Sequence, residues 1–316
     1  MTSTSHLIER TPALLDADPA RLLRPDFRLR AMHPVDEGAG PDFYAQALAG
    51  PLLTAMPGAE ERTDIALSGM FKGGHWLARS GHLAGVFLAP LFGIAATKRV
   101  AFVRFGRFDR FAGDDVVETI VLLDLPALMM QAGCWPLGPP LGQLLFAPGP
   151  ASHDGTSEHV ADASAASLAL VEAMIGGLHK FDGGLQSMGM RQYWADDFWW
   201  FGPAPIGNFR GHADYERGHQ GPFLAAFPDR VGGNHAARIA EGSYVASTGW
   251  PSITATHRGG GWLGLPPTGR TVTMRVMDFW RRDGDHLAEN WVMIDIPDLL
   301  RQMGIDVFAR MHAILP

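Results

Sequence analysis

One offset organises this chain. Asp124 and Asp295 lie 295 − 124 = 171 positions apart, and the same step pairs Gly133 with Gly304, Gln131 with Gln302, Pro126 with Pro297, Glu118 with Glu289 and Asp114 with Asp285. Further back it pairs Gly113 with Gly284, Arg110 with Arg281, Arg104 with Arg275, Gly93 with Gly264 and Pro57 with Pro228. It also joins Gly50–Pro51 to Gly221–Pro222, Tyr44 to Tyr215, and Asp26–Phe27 to Asp197–Phe198. Around residues 74–92 two cancelling gaps are needed, and Ala78 fits Ala246 better. A match this long restricts the chain to two copies of one fold. We place the copies at 1–133 and 157–316, joined by a Pro- and Gly-rich linker at 134–156. A length of 316 residues accommodates two domains of about 150 residues.

Residue patterning gives each copy helices first and a sheet second. Val160, Ser164, Ser167, Val171, Met174 and Leu178 recur at helical spacing, which predicts a helix over 157–180 closed by Gly183–Gly184. Pro12 and Pro19 leave room only for short helical pieces in the first copy. A further helix is predicted over 212–227. Strands are predicted over 198–201, 235–241, 242–256, 270–282 and 286–296, the last two joined by a turn containing Asp283–Gly284. The first copy repeats that hairpin as 98–111 and 116–125. Helices followed by an antiparallel sheet are an α+β pattern rather than a βαβ one.

Composition narrows the function. The balance of 26 basic and 33 acidic residues, with no basic cluster, argues against nucleic acid as a partner. The single cysteine, Cys134, rules out an internal disulfide and any Cys-rich zinc site, and fits a reducing compartment. The first fifteen residues lack a basic stretch followed by an apolar one, so no secretory signal is expected. The longest apolar run, 83–96, is interrupted by Pro90 and is too short to span a bilayer. A cytoplasmic protein without a membrane partner is expected.

No phosphate-binding loop, dinucleotide fingerprint, His-Glu-x-x-His or nucleophile elbow occurs. The 13 histidines include no compact ligand spacing, so neither a metal nor another cofactor is expected. What remains is a set of acids, histidines and aromatic residues. Val272, Met274, Val276, Asp278 and Trp280 share one strand face by the period of two. A carboxylate on such a face is either paired, with Arg275 or Arg281 at hand, or held for acid–base work by a pKa raised through desolvation. Asp295 and Asp124 each precede an x-Pro step, so each is either a helix cap or a reacting acid. His257, in a Gly-rich loop, is either solvated or a catalytic partner. Tyr193, Trp194, Phe198, Trp199, Trp200 and Phe201 build either core or an aromatic-walled pocket.

The segments YWADDFWWFGPAPIGNFRG and THRGGGWLGLPPTGRTVTMRVMDFWRRDGDHLAENWVMIDIPDLLRQMG resemble the SnoaL-like polyketide cyclase family, of the nuclear transport factor 2-like superfamily. The resemblance is strongest at Gly264-Leu265-Pro266-Pro267-Thr268-Gly269 and at the ending Glu289, Trp291, Asp295, Gln302 and Gly304. The first copy keeps Glu118, Asp124, Gln131 and Gly133. It replaces the Pro-Pro loop with Gly93-Ile94-Ala95-Ala96-Thr97-Lys98 and carries Arg107 opposite Asp278. The resemblance implies two tandem cone-shaped α+β barrels, each a curved antiparallel sheet wrapped around helices. It implies cofactor-free acid–base chemistry, such as aldol ring closure on a polyketide ester, with Asp295 matching the catalytic aspartate. Related cones include isomerases, dehydratases, epoxide hydrolases and lyases that release formaldehyde from diarylpropanes.

The expectation is therefore a lyase or cyclase that makes or breaks a carbon–carbon bond in an aromatic small molecule. Asp295, Asp278, His257, Arg275, Asp124 and Arg104 are its candidate catalytic residues. Trp200, Phe201, Tyr244, Trp250, Trp280 and Trp291 are its candidate substrate contacts. A non-catalytic small-molecule binding protein is the alternative. The two copies are expected to pack as an intramolecular pseudo-dimer, with further homo-oligomers open. The second cone is expected to be the active one, and the first to be filled by Phe102, Phe105 and Phe108 or adapted through Arg104 and Arg107.

Overall fold

The structure, a computed structural model, describes residues 3–144, 146–157 and 163–314. It divides into two units, residues 1–136 with 306–316 and residues 137–305. In the first unit, helix α1 (Thr4–Glu9) precedes strands β1 (Leu23–Ala31) and β2 (Glu37–Ala39), then helices α2 (Pro41–Tyr44) and α3 (Gly50–Ala55). Strands β3 (Glu60–Phe71), β4 (Gly74–Val86), β5 (Val100–Ala112) and β6 (Asp115–Leu123) and helix α4 (Leu125–Gln131) follow. In the second unit, helix α5 (Ser164–Leu178) precedes strands β7 (Trp194–Phe201) and β8 (Asn208–Arg210), then helices α6 (Gly211–Tyr215) and α7 (Gly221–Ala226). Strands β9 (Val231–Gly232), β10 (His235–Glu241), β11 (Tyr244–Thr256), β12 (Thr271–Asp283) and β13 (His286–Ile294) and helix α8 (Ile296–Gln302) complete it. The final helix α9 (Val307–Ile314) belongs to the first unit, where Phe308 meets His33 edge to face at 5.7 Å.

The two sheets have one topology. The first runs β2-β1-β6-β5-β4-β3, and the second, read in reverse, runs β8-β7-β13-β12-β11-β10, with β9 added on β11. In each, neighbouring strands are antiparallel except one parallel pair, β1 with β6 and β7 with β13. Even the register repeats: Arg28 opposes Glu118 as Trp199 opposes Glu289, and Phe108 opposes Ile120 as Phe279 opposes Trp291. Ala78 opposes Phe108 and Ala246 opposes Phe279, so the shorter step expected near this stretch is real. The turn glycines Gly113 and Gly284 have φ of +65° and +55°, which an L side chain tolerates poorly, so both hairpins keep glycine.

A second shared feature shapes the interior. Residues Ala45–Ala49 and Glu216–Gln220 form one wide π-type turn each, between α2 and α3 and between α6 and α7. The following Gly-Pro explains both. Proline lacks an N–H and crowds the carbonyl four residues back, and the wider turn relieves that crowding. A Cβ on Gly50 or Gly221 would stand 2.8 Å from the carbonyl oxygen of Ala45 or Glu216, so the turn also requires glycine.

Two expectations change. Residues 137–156 are not a free linker: they belong to the second unit, where Pro148 O accepts from Trp291 Nε1 at 2.8 Å and Glu289 accepts from the Ala151 N–H at 3.1 Å. The helix predicted over 157–180 is observed at 164–178, and residues 158–162 lie outside the described ones. Among the described residues, no helix is long and apolar enough to cross a membrane.

Candidate functional site

Within the second unit, β10 to β13 and β7 curve around α5 and the α6–α7 helix, and they leave a cavity of about 250 Å³ between them. Strand parity decides what faces it. Met274, Val276, Asp278 and Trp280 of β12 line the cavity, with Asn290, Val292 and Ile294 of β13 and Ser247 of β11 beside them. Trp194 and Trp200 of β7 close one wall, while Met174, Ile175 and Leu178 of α5 close another. Tyr215, His219, Gln220 and Phe223 enter from the helical side. The wide turn ahead of Gly221–Pro222 adds one residue to the helix, which brings both His219 and Gln220 to the cavity.

Asp278 sits deep in this cavity. The arginines that were its expected partners are engaged elsewhere. Arg275 holds Asp295 at 3.0 Å and Asp298 at 3.6 Å, and Arg281 holds Glu289 and, at 3.5 Å, Asp283. Among the described residues no cation lies within ion-pair distance of Asp278. Its one polar contact is a long hydrogen bond, 3.4 Å, from Asn290 Nδ2 to Oδ1. Desolvation therefore dominates and raises its carboxyl from 3.8 to about 7, against the smaller opposing effects of the Asn290 bond and the Arg238 charge. At neutral pH both protonation states are populated.

The His219 and Tyr215 side chains beside it are neutral. Burial lowers the His219 imidazole to about 3, so it stays uncharged. Its ring stacks on Trp200 with centroids 4.0 Å apart. Burial and the Asp278 charge both raise the Tyr215 hydroxyl, which stays a hydrogen-bond donor. His219 Nδ1 and Gln220 Nε2 are buried without a hydrogen-bond partner. Unpaired buried polar atoms are costly, and two on one wall of a cavity are poised for a ligand. Ser247 and His235 also meet here, at 3.1 Å through Nδ1, with Arg238 against His235 Nε2.

Of the residues singled out from sequence, the structure brings Asp278, Trp200 and Trp280 to the cavity. Asp295 is elsewhere: Oδ1 accepts the Asp298 N–H at 3.2 Å as a helix cap, and Oδ2 accepts from Arg275. Arg275 also lies over the Trp250 ring at 4.4 Å, so both are part of that cluster. Asp124 caps α4 in the same way through the Ala127 N–H at 3.1 Å, with buried Arg104 beside it. Phe201 and Trp291 stack on the opposite sheet face, centroids 5.5 Å apart, under the 137–156 segment. The Tyr244 hydroxyl bonds Asp154 and Ser152 of that segment. His257 is neither solvated nor at the cavity. It is fully buried against Phe227, and its Nδ1 accepts the Thr268 N–H at 3.3 Å, which staples the Gly-Leu-Pro-Pro-Thr-Gly loop.

Sequence reasoning missed Tyr215, His219, Gln220, Arg230, Asn290 and His235. The repeat itself held the signal. At matching positions the first unit has Leu48, Ala49 and Ala59 in place of His219, Gln220 and Arg230. Of the two expected arrangements, filling by phenylalanines or adaptation through Arg104 and Arg107, the cone shows a buried ionic plug built on Arg107. Arg107, opposite Asp278 in the repeat, donates to Asp109 at 2.8 Å, to Pro12 O at 2.8 Å and to the Tyr44 hydroxyl at 3.2 Å. Thr119 donates to Asp109 at 2.6 Å, and Arg79 bridges Glu61 at 3.4 Å and Asp109 at 3.7 Å. Phe105 and Phe108 are buried, but Phe102 is 38% exposed and fills nothing.

Among the described residues no three His, Cys, Asp or Glu side chains gather as a metal site. Residues 186–303 match the SnoaL-like polyketide cyclase family. No curated protein matches the chain. Similar solved structures include AclR from Streptomyces galilaeus, 26% identical over 45% of this chain and 97% of its own, with a TM-score of 0.37. An NTF2-like protein from Burkholderia xenovorans LB400 is 17% identical over 44% and 97%, with a TM-score of 0.36. IdmH from Streptomyces antibioticus is 22% identical over 43% and 99%, with a TM-score of 0.34. Most of the cavity lining falls within the matched segment, and Met174, Ile175, Leu178, His179 and Phe181 precede it. The matched residues 186–303, similar to the SnoaL-like polyketide cyclase family, fall in the open copy of a tandem α+β repeat whose other copy is plugged.

Proposed function

We propose that the second unit is a cofactor-independent cyclase or lyase that makes or breaks a carbon–carbon bond in an aromatic or polyketide-like small molecule, with Asp278 moving the proton. The observation that carries this reading is a desolvated carboxylate without a cationic partner, balanced near neutrality, on the wall of a cavity lined by Trp194, Trp200 and Trp280. Ionised Asp278 takes a proton from a carbon next to a carbonyl. The resulting enolate oxygen finds neutral donors in Tyr215 and Gln220, and its carbon attacks a second carbonyl of the same molecule. The alkoxide so formed takes the proton back from Asp278, so ring closure consumes and releases nothing. In the lyase direction the same carboxylate removes a hydroxyl proton, the carbon–carbon bond opens to an aldehyde, and the carbanion regains the proton.

The test is turnover of a panel of aromatic β-dicarbonyl esters, followed by mass and absorbance. Asp278→Asn is expected to lower the rate by about 10²- to 10⁴-fold, the usual worth of a general acid–base group. The wild-type pH–rate profile is expected to bend near pH 7. An Asp278→Asn variant at full rate ends the proposal, and a ligand that binds without turning over supports a binding protein instead.

A further inference from the structure

The cavity has two ends of different character. Its deep end holds buried Met274, Trp280 and Asn290, while exposed Pro228, Gly232, Gly233 and His179 mark its mouth. Arg230 stands at that mouth and lines the cavity. It has no carboxylate within ion-pair distance among the described residues. Its contacts are the Leu178 carbonyl at 3.0 Å, Met188 Sδ at 3.8 Å and the Phe181 ring at 5.1 Å. The neighbouring acid, Asp229, is turned away: it accepts the Thr256 N–H at 2.8 Å and pairs with Arg258 at 3.4 Å.

A guanidinium has five N–H donors in a planar fork suited to a carboxylate. The Leu178 carbonyl and Met188 sulfur both engage one nitrogen, Nη2, so Nε and Nη1 are left for another partner. Partial burial disfavours the charged form. A helix-end contact and a ring offset part of that cost, whereas an anion would offset far more. The feature is particular to the open copy, since the matching residue of the plugged one is Ala59. Arg230 and Asp278 line the same cavity as Tyr215, and both charges act on its hydroxyl.

We propose that Arg230 recognises a carboxylate on the ligand, so that the molecule entering this cavity is an aromatic acid held by its acid group at the mouth with its reacting carbons near Asp278. The inference rests on the aromatic small-molecule reading above and adds the charge of the ligand and its orientation.

The probes are 2-naphthoate and its uncharged methyl ester, bound to the full chain at pH 6 and followed by quenching of tryptophan fluorescence. The wild-type protein is expected to bind the acid about tenfold or more tightly than the ester, the scale of a hydrogen bond to a charged group. Arg230→Gln is expected to bring the acid down to the level of the ester and to leave the ester unchanged, and Arg230→Lys to keep part of the preference. A merely structural arginine would weaken both probes equally. Equal wild-type affinities, or a preference that survives Arg230→Gln, overturn the proposal while leaving the aromatic cavity intact. Binding of neither probe overturns both readings. If Arg230→Gln does not fold, Arg230→Lys decides: a reduced acid preference with unchanged ester affinity supports the proposal, and an unchanged preference overturns it.

Discussion

Replacing Asp278 with Asn is expected to make the protein more stable at neutral and alkaline pH while disabling it. The cause is linkage. The carboxyl titrates near 3.8 when exposed and at about 7 in the folded chain. Below pH 3.8 both states hold the proton and the group costs nothing. Between the two values the unfolded chain gives up its proton while the folded chain keeps it, so wild-type stability falls. Above about 7 both are ionised and the deficit is constant. At roughly 1.4 kcal/mol for each tenfold change in the ionisation equilibrium, the full deficit is about 4 kcal/mol. The carboxylate is reachable by water through the cavity, so roughly half of that is a realistic magnitude. Asn keeps the shape without the charge. The assay is thermal or urea unfolding of both proteins from pH 4 to pH 9. The difference in stability should grow across this window, in favour of Asp278→Asn, and level off above pH 7. A difference that is constant with pH, or that favours the wild type at pH 8, would refute the desolvation argument and the acid–base role built on it.

Three further outcomes follow from the same geometry. Asp295→Asn keeps the helix cap and leaves Asp298 for Arg275, so it should cost about 1–2 kcal/mol in a melt and change turnover by no more than a few-fold. Arg107→Leu strands Asp109 in the first cone and should cost about 3–5 kcal/mol, much of it recovered when Asp109→Leu is added, as a double-mutant cycle would show. His219→Phe keeps an aromatic ring against Trp200 and removes a buried unpaired nitrogen. Stability should hold or rise, and affinity for a carbonyl-bearing aromatic ligand should drop by about tenfold in a titration.

The sheets were legible because their signals are local. The alternation in 270–282 and the Asp283–Gly284 turn sit within a few residues of each other, and the repeat confirmed them in the first copy. The role of residues 137–156 was not legible. That segment has no periodicity, and it is held by a carbonyl accepting from Trp291 and by the Ala151 N–H donating to Glu289, contacts between residues far apart in sequence. Nor was the attachment of α9 to the first unit, which depends on packing such as Phe308 on His33.

At the site, the resemblance favoured Asp295, although strand parity sets the two aspartates on different faces. Asp278 shares a face with Val276 and Trp280, which line the cavity, whereas Asp295 follows Trp291 and Met293 on the face turned away. His219 and Gln220 escaped notice because the wide turn at Glu216–Gln220 breaks the helical period, so spacing arguments fail there. The repeat supplies what spacing could not. Where the two copies agree, as at Tyr44 and Tyr215 or Gly50–Pro51 and Gly221–Pro222, the residues serve the shared backbone. Where they differ in the interior, one copy fills its cone with Arg107 and Asp109 and the other opens it with Asp278 and Trp280 at the same two strand positions. A buried ion pair needs a partner for each charge, so Arg107 and Asp109 close their cone only as a set. An unpaired acid needs the opposite, a space that a ligand completes. The exchange of those two residues is the step in sequence that separates a plugged cone from one fitted for chemistry.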